Sequence, residues 1–212
     1  MSPAEETVSP LDIGRRLAAV GLPVTDADSA ALARFVALLL RWNEVYNLTG
    51  IRGVEEILDR HLVESFALRP LLRGTRVADV GTGGGLPGVP LAIAEPNRTF
   101  TLIESRAKRV RFLRHVVAEL KLANTEVAHG RAEHLPLERP FDTVLARAVA
   151  PPAELLSISR HLTAPGSILL LLTATHLHDA FRGLAPDFVV RPTPVGGPKL
   201  RSSIVLLERI NA

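Results

Sequence analysis

The chain contains no cysteine, one tryptophan (Trp42), one tyrosine (Tyr46) and only three lysines among its 25 basic residues. Without cysteine there are no disulfides, thiolate nucleophiles or Cys-based zinc sites, and a reducing, cytoplasmic setting is expected. Long apolar runs are missing as well. Stretches such as Ile168 to Leu172 are far too short to span a bilayer, so no membrane association is expected. The beginning of the chain carries Pro3, Glu5 and Glu6 instead of a basic region followed by an apolar one, so no secretory leader is expected. No internal repeat or low-complexity tract appears, and no Ser-His-Asp or paired-carboxylate arrangement stands out. His176-x-His178 lacks carboxylate or cysteine company, so no metal is expected.

What is present fits a globular protein. At 212 residues the chain can bury a core as one domain with a modest extension. Its 47% hydrophobic and 22% charged residues are ordinary for that class. Net charge is only +3, yet 22 of the 25 basic residues are arginine, whose planar fork suits phosphates and base edges. A GC-rich coding sequence would enrich arginine too, so distribution says more than total. Arg98, Arg106, Lys108, Arg109, Arg111 and Arg114 crowd one segment against a single acid, Glu104. That local excess is the best candidate for a nucleic-acid footprint.

The first seventy residues read as helical. A short amphipathic helix is expected from Leu11 to Val20, ended by Gly21 and Pro23. Thr25 or Asp26 caps a longer one running to about Val45, striped with Leu32, Phe35, Val36 and Leu39. A loop over Asn47 to Gly53 precedes a helix through Leu68. From Arg76 the rhythm changes. Strands are expected at Val77–Val80, Phe100–Ile103, Glu126–Ala128, Thr143–Ala146, Ile168–Leu172, Phe188–Val190 and Ile204–Leu207. Helices fall between them at Leu91–Ala94, Arg106–Leu120, Pro152–His161 and His176–Arg182. Such alternation predicts a parallel sheet covered on both faces, with a late hairpin turning the last strand antiparallel. The expected organisation is a helical extension over 1–70 and a sheet domain over 71–212, together one compact unit.

The segment Val77-Ala78-Asp79-Val80-Gly81-Thr82-Gly83-Gly84-Gly85-Leu86-Pro87-Gly88 carries the strongest chemical signal. A strand that breaks into glycines and then a helix presents bare amides to a ligand at the carboxyl edge of a sheet. Gly83-x-Gly85-x-x-Gly88 also fits the dinucleotide fingerprint, so an NAD-type oxidoreductase is a rival. Two residues oppose a pyrophosphate. Asp79 sets a carboxylate beside the loop, and Pro87 removes an amide donor. A ligand with a cationic amino-acid end suits the loop better, and S-adenosylmethionine is the common one. Glu104, ending the second strand, can accept from ribose hydroxyls or simply cap the next helix. Arg131-Ala132-Glu133 follows the third strand, within reach of an adenine amino group. Arg147 ends the fourth, a cation among small residues at the ligand edge. On the Arg106–Leu120 helix, Val110, Leu113, Val117 and Leu120 share one side, with Lys108, Arg111, His115 and Glu119 opposite.

With these pieces assembled, the chain resembles the bacterial 16S ribosomal RNA guanine-N7 methyltransferases (the glucose-inhibited division protein B family) from roughly Leu32 to Leu207. The likeness rests on Trp42-Asn43-x-x-Tyr46-Asn47-Leu48-Thr49, His61-x-x-Glu64-Ser65, the Asp79–Gly88 loop, Leu102-Ile103-Glu104-Ser105 with Lys108-Arg109, Arg131-Ala132-Glu133, and Phe141-Asp142 leading to Arg147-Ala148. The resemblance implies an α/β fold of the class I S-adenosylmethionine-dependent kind: a Rossmann-like, seven-stranded, mostly parallel sheet with an N-terminal helical extension. It implies methyl transfer to N7 of a guanine in 16S ribosomal RNA of the small ribosomal subunit. A monomer is expected. Gly81, Leu86, Ala132, Glu133 and Arg147 match the family's cofactor-binding positions; Asp79, Gly83, Gly85 and Glu104 join them from the loop and the second strand. Lys108, Arg111, His61 and Asn43 are expected at the RNA, with Asn47 and Arg147 positioning the reactants. Guanine N7 carries a lone pair and no proton, so no acid–base residue is needed. Two departures stand out. Family members usually have aspartate where Glu64 sits, and they place Lys-Gly after the fifth strand, where this chain has Thr173-Ala174. A methyltransferase of another RNA or protein, and a catalytically weakened RNA-binding relative, are the alternatives.

Overall fold

In the computed structural model, the described residues are 8–48, 50, 53–147, 151–173, 181, 184, 186–191, 193 and 202–211. Proline and capping chemistry open the chain. Helix α1 (Pro10–Ala18) has Pro10 in its first turn, where the missing N–H has no helical partner to lose. Helix α2 (Asp26–Tyr46) starts on a capping box: Thr25 Oγ1 accepts from the Asp28 amide at 3.1 Å, and Asp28 Oδ2 accepts from the Thr25 amide at 3.2 Å. It ends where Asn47 turns left-handed at φ 50°. After α3 (Val54–Glu56) comes a π-helical turn, Ile57–Leu62, running directly into α4 (Val63–Ala67).

Seven strands follow: β1 (Arg76–Val80), β2 (Thr99–Glu104), β3 (Thr125–His129), β4 (Phe141–Arg147), β5 (Thr163–Thr173), β6 (Phe188–Arg191) and β7 (Ser203–Arg209). They form one sheet in the order β3-β2-β1-β4-β5-β7-β6. Pairs from β3 through β5 are parallel, while β7 runs antiparallel to both β5 and β6. The expected late hairpin is therefore present. Helices α5 (Gly88–Ala94), α6 (Ala107–Glu119) and α7 (Pro152–Leu162) connect the parallel strands. The expected helix at His176–Arg182 lies, apart from Phe181, outside the described residues, as does His176-x-His178.

Alternation along the strands divides the core between the two faces. Ala78, Val80, Ile103, Val144 and Ala146 face α7 on one side, packed with Leu155, Leu156 and Ile158. Val77, Phe100, Leu145 and Leu170 face the other side, with Leu68 and Leu91. There α2 joins in: Leu39 and Leu48 share one apolar cluster with Leu86 and Val89 of the glycine-rich segment and with Phe112 and Leu113 of α6. No described helix is long and apolar enough to cross a membrane.

Two boundaries differ from expectation. β5 begins at Thr163, not Ile168, because Ser167 Oγ bridges its own strand and β4: it accepts from the Ala164 amide at 3.1 Å and donates to Phe141 O at 2.7 Å. Pairing jumps from Phe141–Thr163 to Thr143–Ile168, so Pro165 and Gly166, the latter at φ 90°, lie in a bulge that this bridge closes. α5 begins at Gly88, three residues before Leu91; Pro90 fits because first-turn amides have no helical acceptor.

Candidate functional site

At the carboxyl edge of the sheet a cavity of about 540 Å³ opens between the ends of β1, β2, β3 and β4. That is the customary size and place for a nucleotide-sized ligand in an open α/β sheet. Gly81 stands at its floor after β1, with φ 62°, a backbone setting that favours glycine. Glu104 and Ser105 come from β2, Ala132 and Glu133 from a short 3₁₀ turn after β3, and Arg147 from the end of β4. Ala132 is buried in the wall, Glu133 is exposed and Arg147 half-buried.

The glycine-rich loop wraps around Asp79, which lies behind the cavity. Asp79 is 1% exposed. Its Oδ2 accepts from Thr82 Oγ1 at 2.6 Å and from the Gly88 amide at 2.8 Å, while Oδ1 is buried without a hydrogen-bond partner. Burial drives the Asp79 carboxyl up to about 7, against the pull of those two hydrogen bonds and of the Arg147 charge; the nearby Glu104 adds to the rise. Asp79, expected beside a ligand cation, does not itself line the cavity; its Oδ2 braces the loop. The same bonds strengthen the case against a pyrophosphate, since the Gly88 amide is consumed by Asp79 and Pro87 has none to give.

Gly83, Gly85 and Leu86 are likewise not among the residues that line the cavity. The Gly83 amide donates to Glu104 Oε2 at 3.1 Å. A Cβ on Gly85 would sit 2.7 Å from Val89 Cγ2, so this glycine permits close packing where a ligand contact was expected. Leu86 belongs to the apolar cluster. Glu104 combines both readings made for it. It lines the cavity, yet Oε1 accepts from the Arg106 amide at 2.9 Å at the start of α6, and Oε2 lies 3.5 Å from Arg109 Nη1.

Arg147 is held from outside the sheet. Its Nη1 donates to Nδ1 of His61, on the π-helical turn. Burial pulls the Arg147 guanidinium below its usual range; the Glu64 charge opposes that, Arg60 adds to it, and Asp79 again opposes it. His61 is 2% exposed, and burial, followed by the Arg147 and Arg60 charges, lowers it to about 3. It is therefore neutral at working pH, and with Nδ1 accepting, the proton sits on Nε2. Glu64 is fully buried: Oε1 accepts from Ser202 Oγ at 2.8 Å, and Oε2 has no hydrogen-bond partner.

Two of the residues expected at the RNA lie inside the fold. His61 is buried against Arg147, and Asn43 is buried in α2 at 6% exposure. Buried polar groups find protein partners, and that need explains them better than RNA contact does. Asn47 is exposed and terminates α2. Lys108 and Arg111 are exposed on α6, with Lys108 Nζ 5.9 Å from the Tyr46 ring centroid. Trp42 docks α2 on α6: its ring lies 5.5 Å from both Phe112 and His115 and 5.2 Å from Tyr46. His115, placed on the solvent face by helical spacing, is accordingly half-buried.

Several cavity residues are not among those expected at the ligand, although Arg106 and Arg109 belong to the basic segment of the sequence. Glu154 and Ile158 come from α7, whose first turns return over the end of β4, and Arg106 and Arg109 from the start of α6. The helix expected after each strand was the available clue, because its N-terminal turns always lie at the ligand edge.

Comparison with known proteins converges on one family. The model of the rRNA small subunit methyltransferase G family matches residues 28–191. Ribosomal RNA small subunit methyltransferase G of Salmonella agona is 47% identical over 178 residues, covering 84% of this chain and 86% of that protein. The protein of the same name from Enterobacter sp. is 42% identical over 184 residues, covering 87% and 84%. Among solved structures, the O-methyltransferase TomG of Streptomyces achromogenes, in complex with S-adenosylmethionine, aligns with a TM-score of 0.56 at 18% identity, over 94% of this chain and 96% of that one. Precorrin-6y C5,15-methyltransferase of Geobacter metallireducens aligns at 0.51 and 14% identity, over 70% and 87%. These two likenesses concern the fold. The sequence matches go further: the chain belongs to the rRNA small subunit methyltransferase G family and is an S-adenosylmethionine-dependent methyltransferase.

Proposed function

We propose that the chain methylates N7 of a guanine in 16S ribosomal RNA of the small subunit, holding S-adenosylmethionine in the cavity at the ends of β1–β4. The observation that carries this reading is the cavity itself. In a chain of this family, it ranges the Gly81 backbone, two carboxylates (Glu104 and Glu133) and one guanidinium (Arg147) along successive strand ends. Those groups fit the cofactor: carboxylates accept from ribose hydroxyls and an adenine amino group, the small Ala132 leaves room for a ring, and a guanidinium suits an amino acid's carboxylate. Asp79, Gly83, Gly85 and Leu86 serve it indirectly by shaping the loop.

When bound, the cofactor supplies a methyl carbon already activated by a positively charged sulfur. The residues have to bind, orient and exclude. Guanine N7 offers a lone pair and surrenders no proton, so the cavity performs this transfer without a general base. Holding two reactants in line can supply roughly 7–11 kcal/mol in favourable cases. The product base is cationic, so basic groups help when they sit on flanking phosphates and oppose the reaction at the base. Lys108 and Arg111 on the exposed face of α6 are assigned to phosphates, and Asn47 at the end of α2 to placing the substrate. The helices over 1–70 and the sheet domain over 71–212 work as one compact unit, as a monomer in the cytoplasm.

Methyl transfer from labelled cofactor to purified small subunits, and to naked ribosomal RNA, tests this. Label released as N7-methylguanine from either substrate supports the reading. A protein that binds cofactor yet labels neither substrate refutes it.

A further inference from the structure

The order β3-β2-β1-β4 also orders the cavity: Glu133, Glu104, Gly81 and Arg147 follow one another across about three strand spacings, or ~14 Å. Hydroxyls and an amino group, the donors of a nucleoside, match the carboxylate end. The amino-acid tail of the cofactor then falls to the β1–β4 end. There the guanidinium of Arg147 can grip a carboxylate with two parallel bonds.

We propose that Glu64, with His61, is a positioning residue that holds the Arg147 guanidinium in place and aimed at the carboxylate of the cofactor's tail. This rests on the cofactor placement given above. Arg147 is half-buried and has Arg60 near enough to oppose its charge, so a desolvated guanidinium there needs a negative partner. Glu64 supplies that charge first and Asp79, whose own carboxyl burial pushes toward its neutral form, adds less. Asp79 already spends one oxygen on the glycine loop, whereas Glu64 Oε2 is buried and takes no hydrogen bond. His61 fixes direction: its Nδ1 accepts from Nη1 of Arg147 and thereby leaves the rest of the fork for the cavity. His61 and Glu64 stand three residues apart, one at the end of the π-helical turn and one in the first turn of α4. Turns of that kind are rare inside helices and concentrate at functional sites. Ser202, just before β7, secures Glu64 from the far side.

The test compares two ligands by titration calorimetry. S-adenosylhomocysteine carries the tail; 5′-methylthioadenosine has the same nucleoside and a thioether without the carboxylate. Glu64→Gln, which keeps shape and removes charge, weakens S-adenosylhomocysteine by about tenfold and 5′-methylthioadenosine by less than about twofold. Arg147→Ala shows the same asymmetry. The double variant is no weaker than Arg147→Ala alone, since both changes act on one contact. Glu64→Asp retains the charge and most of the affinity. Retained 5′-methylthioadenosine binding certifies that the variants are folded. Equal weakening of both ligands by Glu64→Gln, or full additivity with Arg147→Ala, overturns the role of Glu64. If Arg147→Ala itself fails to separate the two ligands, the tail lies elsewhere and the cofactor placement falls with it.

Discussion

Replacing Asp79 by asparagine should change how stability depends on pH in the cofactor-free protein, and the burial of its carboxyl fixes the sign. The folded state binds the Asp79 proton more tightly than the unfolded chain does, because burial raises the group from 3.8 to about 7. The resulting stabilisation is complete below pH ~4 and fades as pH climbs to 7; at 1.36 kcal/mol per pH unit it amounts to about 4 kcal/mol. His61 works in the opposite sense. Its pKa drops from 6.5 to about 3 on folding, so its stabilisation is present above pH 6.5 and lost as pH falls toward 3. Between pH 4 and 6.5 the two contributions nearly cancel. Asparagine mimics the protonated acid: one oxygen can still accept from Thr82 and Gly88, and the NH₂ takes the place of the buried, unpartnered Oδ1. In Asp79→Asn the His61 contribution is left unopposed. The stability of the variant relative to wild type should therefore rise by about 3 kcal/mol between pH 4.5 and 6.5, or roughly 6–12 °C in Tm for a chain of this length. Urea unfolding at four pH values across that range measures it. A difference constant to within about 0.5 kcal/mol would refute the burial argument, because it would mean that Asp79 titrates as it does in the unfolded chain.

Four further outcomes are expected. Gly85→Ala, at φ 83° with a Cβ 2.7 Å from Val89 Cγ2 and 3.2 Å from Leu113 Cδ2, should lose roughly 2–5 kcal/mol from backbone strain and overpacking. Gly21→Ala, at φ 76° with nothing within 4 Å, should lose only about 1–2 in the same urea assay. Replacing Lys108 and Arg111 together by glutamate should reduce the salt dependence of RNA binding by about two phosphate contacts while leaving S-adenosylhomocysteine affinity unchanged; filter binding over a salt series reads the slope. Asn47→Gly, which accepts the left-handed turn at φ 50°, should keep Tm within about 2 °C yet cut methyl transfer to small subunits about tenfold, or ~1.4 kcal/mol.

The central strands were legible because each is a short β-branched run broken by turn residues, and Gly81, Glu104, Ala132, Glu133 and Arg147 all lie on the cavity where strand ends predict them. The fate of His61 was not legible. A polar side chain in a helix reads as surface, and the partner that buries it lies 86 residues away. The same holds for Glu64, whose hydrogen-bond donor, Ser202, is 138 residues distant. Asp79 looked like a ligand group because the loop it braces comes after it in the chain, and only the folded turn brings the Gly88 amide back to its carboxylate. The start of β5 was hidden by Pro165 and Gly166, which signal a turn locally and form a bulge that Ser167 pins to β4.

Where α2 meets the glycine loop, no slack remains. A Cβ placed on Gly84 would come within 3.0 Å of Leu39 Cδ1 and 3.8 Å of Leu48 Cβ, so the long N-terminal helix bears directly on the back of the turn whose front edge is Gly81. Two surfaces that share a wall this thin share its free energy. If a ligand in the cavity shifts the turn, the contact carries that shift to the seat of α2, and a partner that grips α2 then returns the same increment to the ligand, because linkage is reciprocal. Coupling between the cavity and the Trp42 and Tyr46 face has this contact as its shortest route, and by reciprocity it acts equally in both directions, whichever ligand arrives first.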